Sequence, residues 1–187
     1  TTDFHTFERH GVMLYPDQKD AVLFPERVGG HYLTFHRPMP ASFSRVLGIW
    51  LAESDDLVHW GRHRPVALPR PGLWDEARIG ASLTPFRVEE GWLEIYHGAD
   101  RTNRYGMGAI LLDGDDPGRV IARSRRPLLV PEFDYERDGF LHDVVFPSGH
   151  VPLDDGERIR IFYGAADSRT AAADVVVADI LASLEPC

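Results

Sequence analysis

Phe24-Pro25, the strand-like run Tyr32 to His36, and the apolar run Val46-Leu47-Gly48-Ile49-Trp50-Leu51 form a pattern that the chain states three times. The second statement is Thr84-Pro85, Trp92 to His97 and Met107-Gly108-Ala109-Ile110-Leu111-Leu112; the third is Phe146-Pro147, Ile159 to Tyr163 and Val175-Val176-Val177-Ala178. The openings lie about 60 residues apart, and self-similarity at such a period marks a stacked or radial repeat. Each copy has the signals of antiparallel strands, short runs rich in Val, Ile, Leu, Tyr and Trp cut by Gly, Asp and Pro. Val28-Gly29-Gly30, Glu89-Glu90-Gly91 and Asp154-Asp155-Gly156 read as tight turns.

Three to four strands per copy without long helical periodicity predict an all-β fold, a β-propeller of about three blades in an incomplete ring. Ser54-Asp55-Asp56-Leu57-Val58-His59-Trp60 fits an acidic turn leading into a Trp-bearing outer strand, with Asp113-Gly114-Asp115-Asp116-Pro117 as its counterpart. The expected division is a single propeller portion over 1–187, with 1–16 ending a preceding blade and blades at 17–70, 71–131 and 132–187. A β-sandwich of three similar hairpins is the competing architecture. The large aromatic side chains serve mainly to pack sheet on sheet.

With 187 residues, 43% of them hydrophobic, the chain has enough apolar material for a core. No apolar run approaches the about 18 residues of a membrane helix, and no secretory leader is visible, which points to a cytoplasmic protein without membrane contact. The one cysteine, Cys187, leaves no disulfide to expect. A net charge of −9 argues against nucleic acid as a partner. Against that acidic background, basic groups at strand ends become candidate anion ligands. Lys19, Arg37 and His97 stand at such ends, supplying a compact cation, a planar fork of donors and a titratable ring. The nine histidines show no metal-ligand spacing, and no Gly-x-Ser-x-Gly elbow occurs, so neither a metal nor a serine nucleophile is expected.

The runs Asp3-Phe4 through Phe7-Glu8-Arg9, Lys19-Asp20-Ala21-Val22-Leu23-Phe24-Pro25-Glu26 and Ala52-Glu53-Ser54-Asp55-Asp56-Leu57-Val58-His59-Trp60-Gly61 resemble glycoside hydrolase family 130. That family holds the inverting β-mannoside phosphorylases and their hydrolytic relatives. Gly91-Trp92-Leu93-Glu94-Ile95-Tyr96-His97-Gly98, Asp116-Pro117 to Val120-Ile121-Ala122-Arg123-Ser124 and Tyr163-Gly164-Ala165-Ala166-Asp167 continue the likeness almost end to end. The resemblance implies the C-terminal part of a five-bladed propeller with a central active site, either a piece of a longer chain or one whose open ends a homo-oligomer covers.

By the same resemblance, Lys19, Arg37 and His97 match phosphate-binding positions, and Tyr105, Asp143 and Asp167 match sugar-contacting ones. Inverting phosphorolysis needs one carboxylic acid, with phosphate as the nucleophile. The family's acid lies in an Asp-Pro-Arg motif upstream of the residues seen here; Asp116-Pro117-Gly118 is not that motif. No catalytic residue is therefore expected in this chain. Asp143 departs from the family's usual Asn, and Arg78 from its usual Lys, the latter read as loop positioning. What the resemblance implies is an enzyme portion that acts on β-mannosides with inorganic phosphate and no cofactor, and that does not turn over alone. A non-catalytic carbohydrate-binding or assembly module and a β-mannosidase are the alternatives.

Overall fold

The computed structural model describes residues 1–39 and 46–187. Four strands, β1 (Gln18–Leu23), β2 (Tyr32–Pro38), β3 (Ile49–Ser54) and β4 (Trp60–Ala67), form the first antiparallel sheet in that order. The second sheet contains β5 (Arg78–Ala81), β6 (Phe86–Val88), β7 (Gly91–Ala99), β8 (Tyr105–Leu112) and β9 (Val120–Ser124). A short helix α1 (Asp134–Arg137) precedes the third sheet, β10 (Val145–Pro152), β11 (Arg158–Ala165) and β12 (Arg169–Val176). Helix α2 (Val177–Ala182) then carries the chain to β13 (Leu184–Pro186), which pairs with β9 at the edge of the second sheet.

The all-β expectation meets a different architecture from the one read in the sequence. Instead of about three matching blades of a five-bladed propeller, the described residues form three open antiparallel sheets of four, six and three strands. The inequality has two local causes. The strand leading into β7 is broken between β5 and β6, with Ser82–Pro85 looped out, and both pieces pair with β7. The C-terminal β13 leaves its own repeat and returns to the second sheet. Apolar runs show where strands are but not how many each sheet recruits.

The sheets enclose two cores, and the period-2 alternation of β7 divides its side chains between them. Trp92 and Tyr96 join Phe24, Leu33, Phe35, Ile49 and Leu51 against the first sheet. Leu93 and Ile95 join Met107, Val145, Ile159, Ile161 and Tyr163 against the third. Strand β7 is therefore buried along its whole length, which fits a sequence apolar on both faces apart from Glu94 and His97. The Val28–His31 turn closes with reciprocal backbone bonds of 2.9 and 3.1 Å, and Gly29 and Gly30 take φ of 58° and 89°, where a side chain would be strained.

On the other side of the first sheet, His36 is 1% exposed, its Nδ1 2.9 Å from Gln18 Oε1 and its Nε2 3.1 Å from His63 Nδ1. Burial, and then the neighbouring His63, push its pKa from 6.5 down to about 4. The folded protein thus keeps His36 neutral where the unfolded chain takes up a proton, so this contribution to stability is present above pH 6.5 and is lost as pH falls towards 4. The interval corresponds to roughly 3 kcal/mol. His36→Gln should flatten the pH dependence of the unfolding free energy between pH 6.5 and 4 by about that amount. Urea titrations across the interval check this, and a slope unchanged from wild type would refute it.

Candidate anion and sugar site

Lys19 and Arg37 face each other across β1 and β2. In an unbroken strand Lys19 and Asp20 would point to opposite faces, but the register shifts between Lys19 and Val22 and Asp20 has a φ of 55°. This bulge turns the Asp20 carboxylate toward Arg37, whose Nη1 lies 3.1 Å from Asp20 Oδ2. The contact is an ion pair that lacks the alignment of a hydrogen bond, since Asp20 Oδ2 and Arg37 Nε are both buried without a hydrogen-bond partner. Arg37 itself is 5% exposed and reaches from the first sheet to the second. Its Nη1 sits 3.4 Å from the Ile79 carbonyl and 3.3 Å from His97 Nε2. Gly80 makes room for the approach: a Cβ there would collide with the Asp20 carboxylate and lie 2.5 Å from His97 Cε1.

Guanidinium can only donate, so the His97 Nε2 facing Arg37 accepts and Nδ1 carries the hydrogen, donated to Ser82 Oγ at 2.8 Å. Burial, with Arg37, Arg78 and Lys19 nearby, pushes the His97 pKa well below its ordinary value. The ring is therefore neutral. Ser82 extends the chain of contacts, its backbone N donating to Glu94 Oε1 at 2.9 Å. Glu94 is 1% exposed, its Oε2 has no partner, and burial raises its pKa well above the usual carboxylate range. Its carboxyl takes the backbone donor left free where β5 and β6 separate, and so holds the support of His97 in place.

Arg78 completes the basic cluster, and reading it as loop positioning missed this. At the start of β5 its Nε donates to Tyr105 Oη at 2.7 Å and its Nη2 to Asn103 Oδ1 at 2.7 Å, with the guanidinium carbon 4.8 Å from the Tyr105 ring centroid. It also acts electrostatically on Arg37 and His97. Lys19, Arg37 and Arg78 against Asp20, with His97 neutral, leave three positive charges and one negative, a local excess of two on a chain of net charge −9. Strand β5 pairs with β7 so that Gly80 faces His97, two residues from Arg78.

The structure brings Lys19, Arg37, His97 and Tyr105 into one neighbourhood. Phe146 lies 4.3 Å from His97 and 6.3 Å from Tyr105 between ring centroids, and His97 lies 6.1 Å from Tyr105. Asp143 joins through its backbone, its carbonyl accepting from Tyr105 N at 2.9 Å. Asp167 lies one step away in the exposed β11–β12 turn, where the preceding residue, Ala166, donates to the Val144 carbonyl at 2.9 Å. Both aspartates have positive φ, 56° and 50°. Among the described residues no group of His, Cys, Asp and Glu is arranged to hold a metal ion. None of the described helices is long and apolar enough to cross a membrane.

Asp75 is a different kind of acid. It is fully buried on the Tyr96 side of β7, bonded to Arg70 at 2.8 Å, Arg123 at 2.6 Å and Tyr96 Oη at 2.8 Å. Arg123 also donates to Tyr96 Oη and to the Leu68 carbonyl, and Arg70 to the Ser124 carbonyl. This carboxylate is committed to tying the 68–75 connection onto the second sheet.

The all-β scaffold thus gathers cations, a neutral histidine and a tyrosine, an arrangement suited to an anion. A family model described as beta-1,4-mannooligosaccharide phosphorylase matches residues 1–185, and the chain belongs to this family, glycoside hydrolase family 130. It is 43% identical over 185 residues to a beta-1,2-mannobiose phosphorylase of Listeria innocua, covering 99% of this chain and 51% of the relative. It is 42% identical over 174 residues to a 1,2-beta-oligomannan phosphorylase of Thermoanaerobacter sp., covering 93% and 56%. The solved Listeria innocua beta-1,2-mannobiose phosphorylase, in complex with beta-1,2-mannobiose, superposes with a TM-score of 0.94 over 98% of this chain and 51% of that one. The chain thus spans about half the length of the curated relatives it matches.

Proposed function

We propose that this chain supplies the phosphate-binding part, and a share of the sugar-binding part, of an inverting β-mannoside phosphorylase acting on β-1,2-linked mannosides. The observation that carries the reading is the local excess of positive charge made by Lys19, Arg37 and Arg78 beside His97 and Tyr105. The β-1,2 linkage rests on what the relatives at 42–43% identity are named for. In the reaction a phosphate oxygen bonds to the anomeric carbon as the glycosidic C–O bond breaks on the opposite face. The leaving oxygen takes a proton, giving mannose 1-phosphate and the shortened saccharide.

Each residue here has a role in that scheme. The Arg37 and Arg78 guanidinium groups and the Lys19 ammonium hold and screen the phosphate, so that its attack on the sugar carries less repulsion. His97 Nε2 accepts from Arg37 and its Nδ1 donates to Ser82 Oγ, so the neutral ring orients the Arg37 guanidinium for the anion. The Tyr105 ring offers a face to the pyranose, and the Asp143 and Asp167 carboxylates offer acceptors to its hydroxyls. The proton donor for the leaving oxygen is assigned to residues other than these.

Titration calorimetry of inorganic phosphate and of β-1,2-mannobiose into the chain tests the reading, together with an assay for mannose 1-phosphate. Expected are phosphate binding that weakens as salt rises and no turnover by the chain alone. Failure to bind phosphate at low ionic strength would overturn the proposal, and turnover would place an acid within the chain. The alternative reading is a carbohydrate-binding or assembly module without catalysis. That reading is preferred if saccharide binds and phosphate does not. Phosphate-independent cleavage would instead indicate a hydrolase.

A further inference from the structure

The segment between β9 and β10 is pinned at several points yet leaves its aromatic rings in solvent. Glu136, 1% exposed, accepts from Glu132 N at 2.8 Å, Phe133 N at 3.0 Å and Tyr163 Oη at 2.7 Å. Further along, Phe140 N donates to Ser168 Oγ at 2.7 Å and Leu141 N to the Ala166 carbonyl at 3.1 Å. Gly139 lies so close to this turn that a Cβ would be 2.5 Å from the Ala166 carbonyl oxygen. Despite this anchoring Phe133 is 58% exposed and Phe140 81%, and the Phe133 and Tyr135 rings are parallel, 5.5 Å apart. Leaving large rings in water forgoes the stabilisation that burying them would bring. A backbone fixed in this way prevents them from collapsing inward.

The same segment ends at Asp143, whose carbonyl accepts from Tyr105 N, and it rests on the turn that carries Asp167. The aromatic rings are thus continuous with the sugar side of the site, and exposed rings alternate with carboxylate acceptors. That mixture suits a saccharide, which offers apolar C–H faces and hydroxyl edges. We propose that residues 132–143 form a platform for the outer mannose units of an oligosaccharide, on the side of the scissile bond away from phosphate, with Phe133 and Phe140 as its stacking faces. This deepens the phosphorylase reading and rests on it, because it extends the same site from a disaccharide to a longer chain.

The test compares β-1,2-mannobiose with β-1,2-mannotetraose by calorimetry on the 187-residue chain, with inorganic phosphate titrated separately. Expected is about tenfold tighter binding of the tetrasaccharide, falling to near parity in Phe140→Ala and Phe133→Ala while phosphate affinity and the unfolding midpoint stay as in wild type. An unchanged ratio in both variants, or equal affinity for the two saccharides in wild type, overturns the platform and leaves the phosphorylase reading intact. If neither saccharide nor phosphate binds, both fall. If sedimentation shows that the substitutions alter self-association and not saccharide affinity, the rings belong to an interface between copies and the proposal is wrong.

Discussion

Asp75→Ala should lower the unfolding free energy by about 3–5 kcal/mol, the cost of leaving buried cations without their carboxylate. Arg123 is 5% exposed, and its other contacts, Tyr96 Oη and the Leu68 carbonyl, are neutral. Arg70 loses a two-pronged contact at 3.2 and 2.8 Å. For a chain of this size such a loss moves the thermal midpoint down by roughly 6–20 °C. Asp75→Asn, which keeps one acceptor, should cost less than Asp75→Ala. Thermal and urea unfolding of the three proteins decide the matter. A midpoint within a degree or two of wild type for Asp75→Ala would show that the network contributes nothing. The same samples separate a structural acid from one at the site: below its midpoint Asp75→Ala should bind phosphate as wild type does, because Asp75 packs on the Tyr96 side of β7 and not with His97.

Part of this architecture is legible in the sequence. Strand positions were readable because burial on both sides of a sheet writes itself as continuous apolar runs, and turns because Gly29-Gly30 supplies the positive φ a tight reversal needs. Sheet membership was not readable: β13 pairs with β9 across 60 residues, Leu184 facing Ser124, and nothing local in Leu184–Pro186 announces that partner. At the site, Lys19, Arg37 and His97 drew attention as cations at strand ends, yet the environment that sets their chemistry comes from other residues. Asp20 turns toward Arg37 only because of a bulge, and strict alternation would have sent it to the opposite face. Arg78 looks like part of a connection until pairing of β5 with β7 sets it beside Tyr105. His97 reads as a titratable donor in isolation, while burial beside Arg37, Arg78 and Lys19 makes it a neutral acceptor.

Arg37→Met should separate the two tasks of the cationic cluster. Burial pushes the Asp20 pKa up even though Arg37 and Lys19 pull it down, and burial lowers that of Arg37 in spite of Asp20. On both sides of the pair desolvation outweighs attraction, so the fold maintains this arrangement at a cost. Removing the guanidinium leaves the Asp20 carboxylate, 11% exposed, facing a neutral His97, and should destabilise the protein at neutral pH by about 3 kcal/mol. The sign with pH follows from the direction of the Asp20 shift. A carboxyl whose folded pKa is raised above 3.8 favours folding in its protonated form, so the deficit should shrink as pH falls through that raised value. Phosphate affinity should fall about a hundredfold, the scale of lost charge-assisted hydrogen bonds to an anion. Adding Asp20→Asn to Arg37→Met removes the stranded charge and should restore most of the stability while phosphate binding stays weak. Urea unfolding and phosphate calorimetry on wild type, the single variant and the double variant give both readouts. Wild-type phosphate affinity in Arg37→Met would remove Arg37 from the anion site, and a double variant as unstable as the single one would show that the loss comes from packing and not from the unpaired carboxylate.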